Sequence, residues 1–139
     1  MFLLDTNVVS ELRKTSAGKA DVNVVLWSRG VSANSLFLSA ITIQELKIGV
    51  LLAERRDPRQ GAVLRTWLEQ QVLPAFGERV LPVDAVVASR GADLHVPDPK
   101  PYRDAFIAAT ALVHGMTVVT RNTADFEPMG VELLNPWLT

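Results

Sequence analysis

Four acidic side chains border the most apolar stretches of this chain. Asp5 closes the run Phe2-Leu3-Leu4. Glu45 stands in "AITIQELKIGV", one turn into a helical pattern. Asp104 opens "DAFIAATAL". Asp125 follows "MTVVT", within "TRNTADF". Four ionised carboxylates converging in an apolar setting repel one another, so protons or a hard cation must neutralise them. With two histidines and no cysteine, zinc is a poor fit. Mg²⁺ suits an oxygen-only set, because it takes one or two carboxylates, keeps several waters and shares substrate phosphate. The chemistry such a centre supports is attack of water on a phosphodiester. Asp5, Asp104 and Asp125 are the candidate metal ligands, and Glu45 would complete the shell or deprotonate the water. Arg121 and Lys47 are the candidate cations for flanking phosphates.

Each acid also has a plainer explanation. Asp is among the best helix N-caps, so Asp5 could tie off the helix that follows it. Thr42-Ile43-Gln44-Glu45 matches the S/T-x-x-E capping box. Asp104 in a first turn favours the helix dipole, and Asp125 suits a turn. These explanations account for each acid singly. They do not account for four acids falling on one edge.

That edge follows from the elements. Phe2–Leu4, residues 36–40 ("LFLSA"), 79–83 ("RVLPV") and 116–120 ("MTVVT") read as short buried strands, with "VELL" at 131–134 as a fifth. Between them, helical patterns cover Asn7–Lys14, Asp21–Arg29, 42–55, 58–75, Asp84–His95 and Tyr102–His114, with Thr15–Lys19 as a loop and Gly115 as a helix-ending glycine. Strands alternating with helices imply an α/β fold with a short, mostly parallel central sheet. Asp57-Pro58 restarts a helix, so 42–55 and 58–75 form a helical hairpin beside the sheet. Right-handed crossovers then put the carboxyl ends of the strands on one rim, where open α/β sheets bind ligands. Thr6, Asn7, Ser39, Thr120 and Asn122 are the supporting polar residues on that rim, Asn122 as a donor that orients a carboxylate or water. Glu11 is either an accessory ligand or a surface ion pair. His95 and His114 flank helix ends and receive no catalytic role.

Composition narrows the class. A chain of 139 residues reads as a single domain, 1–139. No apolar run approaches the roughly 20 residues that span a bilayer, and the N-terminus lacks a signal-peptide pattern. The absence of cysteine excludes disulfides and thiolate chemistry and is compatible with a cytoplasmic setting. A net charge of −1 does not resemble a generic nucleic-acid binder, but a bound cation would invert the local field at the acids. Arg55, Arg56, Arg59 and Arg65, interleaved with Glu54, Asp57 and Glu69, read as a solvated helix face.

"LLDTNVVSEL", "LSAITIQELKIGV", "RDAFIAATALVHGMTVVTRN" and "ADFEPMGVELLNPW", in this order over essentially the whole chain, resemble the PIN-domain ribonucleases, specifically VapC toxins and their FitB-like subgroup. The resemblance implies a PIN-like three-layer fold with a protruding helical hairpin. It implies a Mg²⁺- or Mn²⁺-dependent endoribonuclease, the toxin of a type II toxin–antitoxin pair. The family's metal-binding acids carry over onto Asp5, Glu45, Asp104 and Asp125, and its supporting positions onto Thr6, Asn7, Thr120 and Asn122. Asp98 lies in the proline-rich "PDPKPYRD", six residues before Asp104. The metal position goes to Asp104 because "DAFIAATAL" matches the family helix. The implied partners are RNA, a VapB-like antitoxin whose tail enters the acidic groove, and a second copy in a homodimer; no membrane is involved.

Two other readings stand beside it. One is a non-catalytic PIN-like module that binds a partner helix along the hairpin, with Trp67 exposed. The other is a Mg²⁺-dependent phosphatase, but the haloacid-dehalogenase pattern needs a second Asp where Asn7 stands. The lack of G-x-G-x-x-G after the first strand speaks against a nicotinamide enzyme.

Overall fold

The structure is a computed structural model that describes residues 1–138. Five short strands form one sheet in the order β3-β2-β1-β4-β5. They are β1 (Phe2–Leu4), β2 (Leu36–Ser39), β3 (Val80–Leu81), β4 (Thr117–Val119) and β5 (Leu133–Leu134). Every pairing is parallel, which is stricter than the mostly parallel sheet expected. The register sets Leu3 between Phe37 and Val118.

Alternation along the strands explains the three layers. Successive strand side chains point to opposite faces. Leu3 and Val118 join Ile107, Ala108, Phe126 and Met129 on one side of the sheet. Leu4 and Val119 join Val8, Leu38, Leu46, Val50 and Leu68 on the other. A sheet buried on both faces has no polar alternation to show, which is why these strands read as continuous apolar runs.

Eight α-helices connect the strands: α1 (Thr6–Arg13), α2 (Val22–Arg29), α3 (Ala40–Arg56), α4 (Pro58–Trp67), α5 (Leu73–Phe76), α6 (Ala85–Leu94), α7 (Tyr102–His114) and α8 (Thr123–Phe126). The loop expected after α1 is a 3₁₀ turn at Lys14–Ala17, and α8 fills a stretch expected to be irregular. α7 has the bounds expected, and Gly115 ends it in the left-handed region at φ 67.

The hairpin is α3 against α4. Asp57 Oδ1 accepts from the backbone N–H groups of Arg59 and Gln60, starting α4 at Pro58. The second arm is not the single helix expected over 58–75. It passes through a π-helical turn at Leu68–Val72 before α5. Pro74 supplies the reason, since its ring and missing N–H cannot continue the i to i−4 ladder. Arg65 clamps the hairpin through Glu54 on the first arm at 2.7 Å and is steadied along its own arm by Glu69 at 2.9 Å. The arms touch at Gly61, where an added Cβ would lie 2.5 Å from Glu54 Cα. Gly61→Val is therefore expected to cost about 2–3 kcal/mol, read as a lower urea midpoint, whereas Gly49→Ala, with open space around it, should not.

Sheet order decides where a site can form. From β1 the chain moves one way to β2 and β3, then crosses back to β4 and β5 on the other side. The crevice between the carboxyl ends of β1 and β4 is the switch point of the sheet. Asp5 and Thr120 are the residues immediately beyond those two ends.

Candidate active site

Asp5 leaves β1 and caps α1. Its Oδ1 accepts the Thr6 N–H at 2.8 Å, so the capping role is real but uses one oxygen. Oδ2 accepts from the Thr120 hydroxyl at 2.8 Å and the Asn7 amide at 3.3 Å. Thr120 is fully buried. Its hydroxyl also accepts from Asn7 Nδ2 at 3.3 Å and from the Asn122 backbone N–H at 3.0 Å. The Asn122 link is thus made by its backbone; the side chain that reaches the Asp5 carboxylate is that of Asn7.

Glu45 projects from α3 toward α1. Ser39, not Thr42, caps α3 through the Ile41 N–H at 3.0 Å. The capping-box explanation of Glu45 therefore fails, because Thr42 and Glu45 both lie inside the helix. Glu45 Oε1 accepts from the Thr6 hydroxyl at 2.7 Å, with the buried Thr42 hydroxyl 3.4 Å from that of Thr6. Its Oε2 lies 3.6 Å from Arg103.

Asp104, in the first turn of α7, caps nothing. Asp125 lies exposed in α8 at the rim. Asp5, Glu45 and Asp104 line one groove of about 440 Å³, together with Thr6, Asn7, Ser10, Glu11, Lys14, Arg121, Asn122 and Trp137.

Burial and mutual repulsion show in the acids' protonation. Burial pushes the Asp5 carboxyl above its ordinary value; the bonds from Thr120 and Thr6 oppose this, and Glu45 and Asp125 add to it. Asp104 is lifted to about 6, by burial first and then by Asp5, Asp125 and Glu45. Nothing positive offsets these influences on Asp104. Arg103 offsets the Glu45 charge, and the acids of the groove offer carboxylate oxygens alone. A hard divalent cation fits that set. Among the described residues no group of three or more histidine or acidic side chains is arranged to hold a metal ion by itself.

Other expected participants lie elsewhere. Lys47 turns to the second arm of the hairpin, 4.0 Å from Glu69, and does not line the groove. Two residues along a helix face different ways, so Glu45 and Lys47 cannot share a target. Glu11 reaches the groove, but its oxygens take the Asp21 N–H at 2.8 Å and Lys14 at 3.2 Å. The Asp21 bond chiefly holds its carboxyl below the usual range. Asp98 is exposed and outside the groove. His95 Nδ1 accepts from the Lys100 N–H at 3.1 Å and stacks on Tyr102, and His114 is exposed. Trp67 is half-buried against the core with Arg13 over its ring, not openly exposed.

The groove also holds residues that sequence reasoning passed over: Ser10, Lys14 and Trp137 as lining, and Arg103 through its contact with Glu45. Trp137 carried a signal, a large aromatic after Pro136 beyond the last strand. Ser10 carried a weaker one, one helical turn beyond Asn7 on α1.

Residues 2–130 match the PIN domain. The VapC ribonuclease Y4jK of Sinorhizobium fredii is 39% identical over 142 residues, spanning 99% of this chain and 98% of that protein. The toxin FitB of Neisseria gonorrhoeae is 38% identical, spanning 99% of both. The crystal structure of FitAcB from Neisseria gonorrhoeae superposes with a TM-score of 0.90 at 38% identity over 100% of both chains.

Proposed function

The chain belongs to the PIN-domain family, and on that premise we propose that it is the endoribonuclease toxin of a type II toxin–antitoxin pair. It hydrolyses RNA phosphodiester bonds and is restrained by a VapB-like antitoxin. Ribonucleases of this kind depend on a divalent metal. We take the ion to be Mg²⁺ or Mn²⁺, in keeping with the oxygen-only donors. The observation that carries this reading is the groove beyond the ends of β1 and β4 that brings Asp5, Glu45 and Asp104 together.

In this reading Asp5, Asp104 and Asp125 would hold the cation, which when bound would neutralise phosphate charge and lower the pKa of a water. The chain's own residues do the rest. Thr120 and Asn7 fix the buried Asp5 carboxylate. Thr6 fixes one Glu45 oxygen and Arg103 lies 3.6 Å from the other, so Glu45 is held at the groove to orient a water and take its proton. Arg121 holds a phosphate beside the scissile one.

The single-domain reading over 1–139 is supported by one sheet with a core on each face. No helix among the described residues is long and apolar enough to cross a membrane, which accords with a cytoplasmic setting. A homodimer is part of the same reading, and exposed Leu51, Leu52 and Val63 on the hairpin are available for such a contact.

The test uses protein purified free of antitoxin and single-stranded RNA. Cleavage is expected in Mg²⁺ or Mn²⁺ and should stop in EDTA. Undiminished cleavage in EDTA would overturn the metal chemistry.

A further inference from the structure

We propose that Trp137 is a positioning residue for RNA binding: it supports the Arg121 guanidinium in the groove that the acids line, where that guanidinium docks the phosphate next to the scissile one. This rests on the ribonuclease reading above and adds to it the device that sets where the substrate strand lies.

The two side chains form one unit. Arg121 Cζ lies 5.3 Å from the centroid of the Trp137 ring, and both line the groove that holds Asp5, Glu45 and Asp104. A cation over an indole is held by the ring quadrupole, most strongly on tryptophan. Trp137 is itself anchored. Its backbone N–H donates to Asn135 Oδ1 at 3.0 Å, its backbone carbonyl accepts from Asn23 Nδ2 at 2.8 Å, and its ring packs against the core cluster around Leu4. Arg121 is exposed. With its ring set between the core and a guanidinium, Trp137 serves as a pedestal for the cation, not as a platform for a base.

The unit is also tied to the acids. The Arg121 N–H donates to Asn7 Oδ1 at 3.3 Å, and Asn7 Nδ2 donates to Asp5 Oδ2 at 3.3 Å. A single amide side chain therefore links the buried carboxylate to the Arg121 backbone. Arg121 and Lys14 line the same groove as Asp5, Glu45 and Asp104, so cations for a neighbouring phosphate stand in the groove that the acids line. Lys14 is paired with Glu11; Arg121 presents a planar fork, which matches phosphate oxygens two at a time. A strand held at both phosphates crosses the scissile site in one register.

The experiment compares wild type with Trp137→Leu, Trp137→Phe, Arg121→Gln and Arg121→Lys. It measures steady-state cleavage of a labelled single-stranded RNA in Mn²⁺ and binding of the same RNA in EDTA across a KCl series. Trp137→Leu should raise KM by about five-fold, the scale of one cation–π contact, with kcat unchanged. Trp137→Phe should restore most of the loss. Arg121→Gln should raise KM and make the salt dependence shallower by about 0.7, the value for one phosphate contact on a single strand. Arg121→Lys should keep that slope yet share the raised KM. If Trp137→Leu lowers thermal stability while KM stays at the wild-type value, the residue is only structural and the proposal falls. Because Arg121 is exposed, its variants test the docking role even if Trp137→Leu does not fold; an unchanged KM and salt slope in Arg121→Gln overturns it. Wild-type protein that cleaves no RNA in Mn²⁺ or Mg²⁺ would overturn the ribonuclease reading itself, an outcome distinct from active variants with unaltered KM.

Discussion

Asp104→Asn is expected to lower RNA cleavage by on the order of a thousand-fold, the scale of losing one preorganised electrostatic group, while making the metal-free protein more stable at neutral pH. The two effects have one cause. Asp104 is half-buried beside Asp5, Asp125 and Glu45, and its carboxyl is raised to about 6. The folded state therefore binds this proton more tightly than the unfolded chain does. The sign follows from linkage: stability from this group is greatest below its unfolded value near 3.8 and falls as pH rises through about 6. Unscreened, the penalty at neutral pH would be about 3 kcal/mol; solvent at this position screens it to about 1 kcal/mol. The asparagine carries no such penalty. Urea unfolding in EDTA should show the variant ahead by that margin at pH 7.5 and level with wild type near pH 4. Added Mn²⁺ should stabilise wild type more than the variant, because only a protein that binds the ion when folded gains from it. A variant that loses activity and stability together would show that Asp104 holds the fold and not the ion.

Thr120→Val is expected to cost about 2 kcal/mol of stability, because it strands buried polar groups, and to lower cleavage by about 10- to 100-fold, as loss of a ligand-orienting partner does. Valine preserves the shape of threonine but not its hydroxyl. The Asp5 carboxylate loses its 2.8 Å donor, and the Asn122 N–H loses its acceptor at 3.0 Å. That donor is the largest influence opposing the upward push of burial on Asp5. Without it the Asp5 carboxyl rises further, so the acid limb of the pH–rate profile should move to higher pH. Thr120→Ser keeps the hydroxyl and should retain most of both properties. A Thr120→Val enzyme with an unmoved acid limb would show that Thr120 does not tune Asp5.

The linear chain determined the elements and one edge. Apolar runs too short for core helices and bounded by turn residues became strands, and the 3.6-residue periodicity became helices, because burial on both sheet faces and on one helix face leaves those patterns in one dimension. Asp5, Glu45 and Asp104 were legible as acids breaking into such runs. Their supporting partners were less so. Thr120 and Asp5 are separated by 115 positions, and only the β1–β4 pairing brings them to 2.8 Å. Thr42 read as the residue that begins α3, but the strand end brings the Ser39 hydroxyl, not that of Thr42, to the free N–H. Lys47 looked as close to the site as Glu45, but two helical positions aim side chains to different sides, and the neighbouring arm of the hairpin claims it. Trp137 entered the groove because β5 lies beside β4, a neighbour chosen by sheet order. Periodicity reports which face of an element is buried. Which distant element covers that face, and so which charges meet across a groove, is settled only when the whole sheet has closed around its two cores.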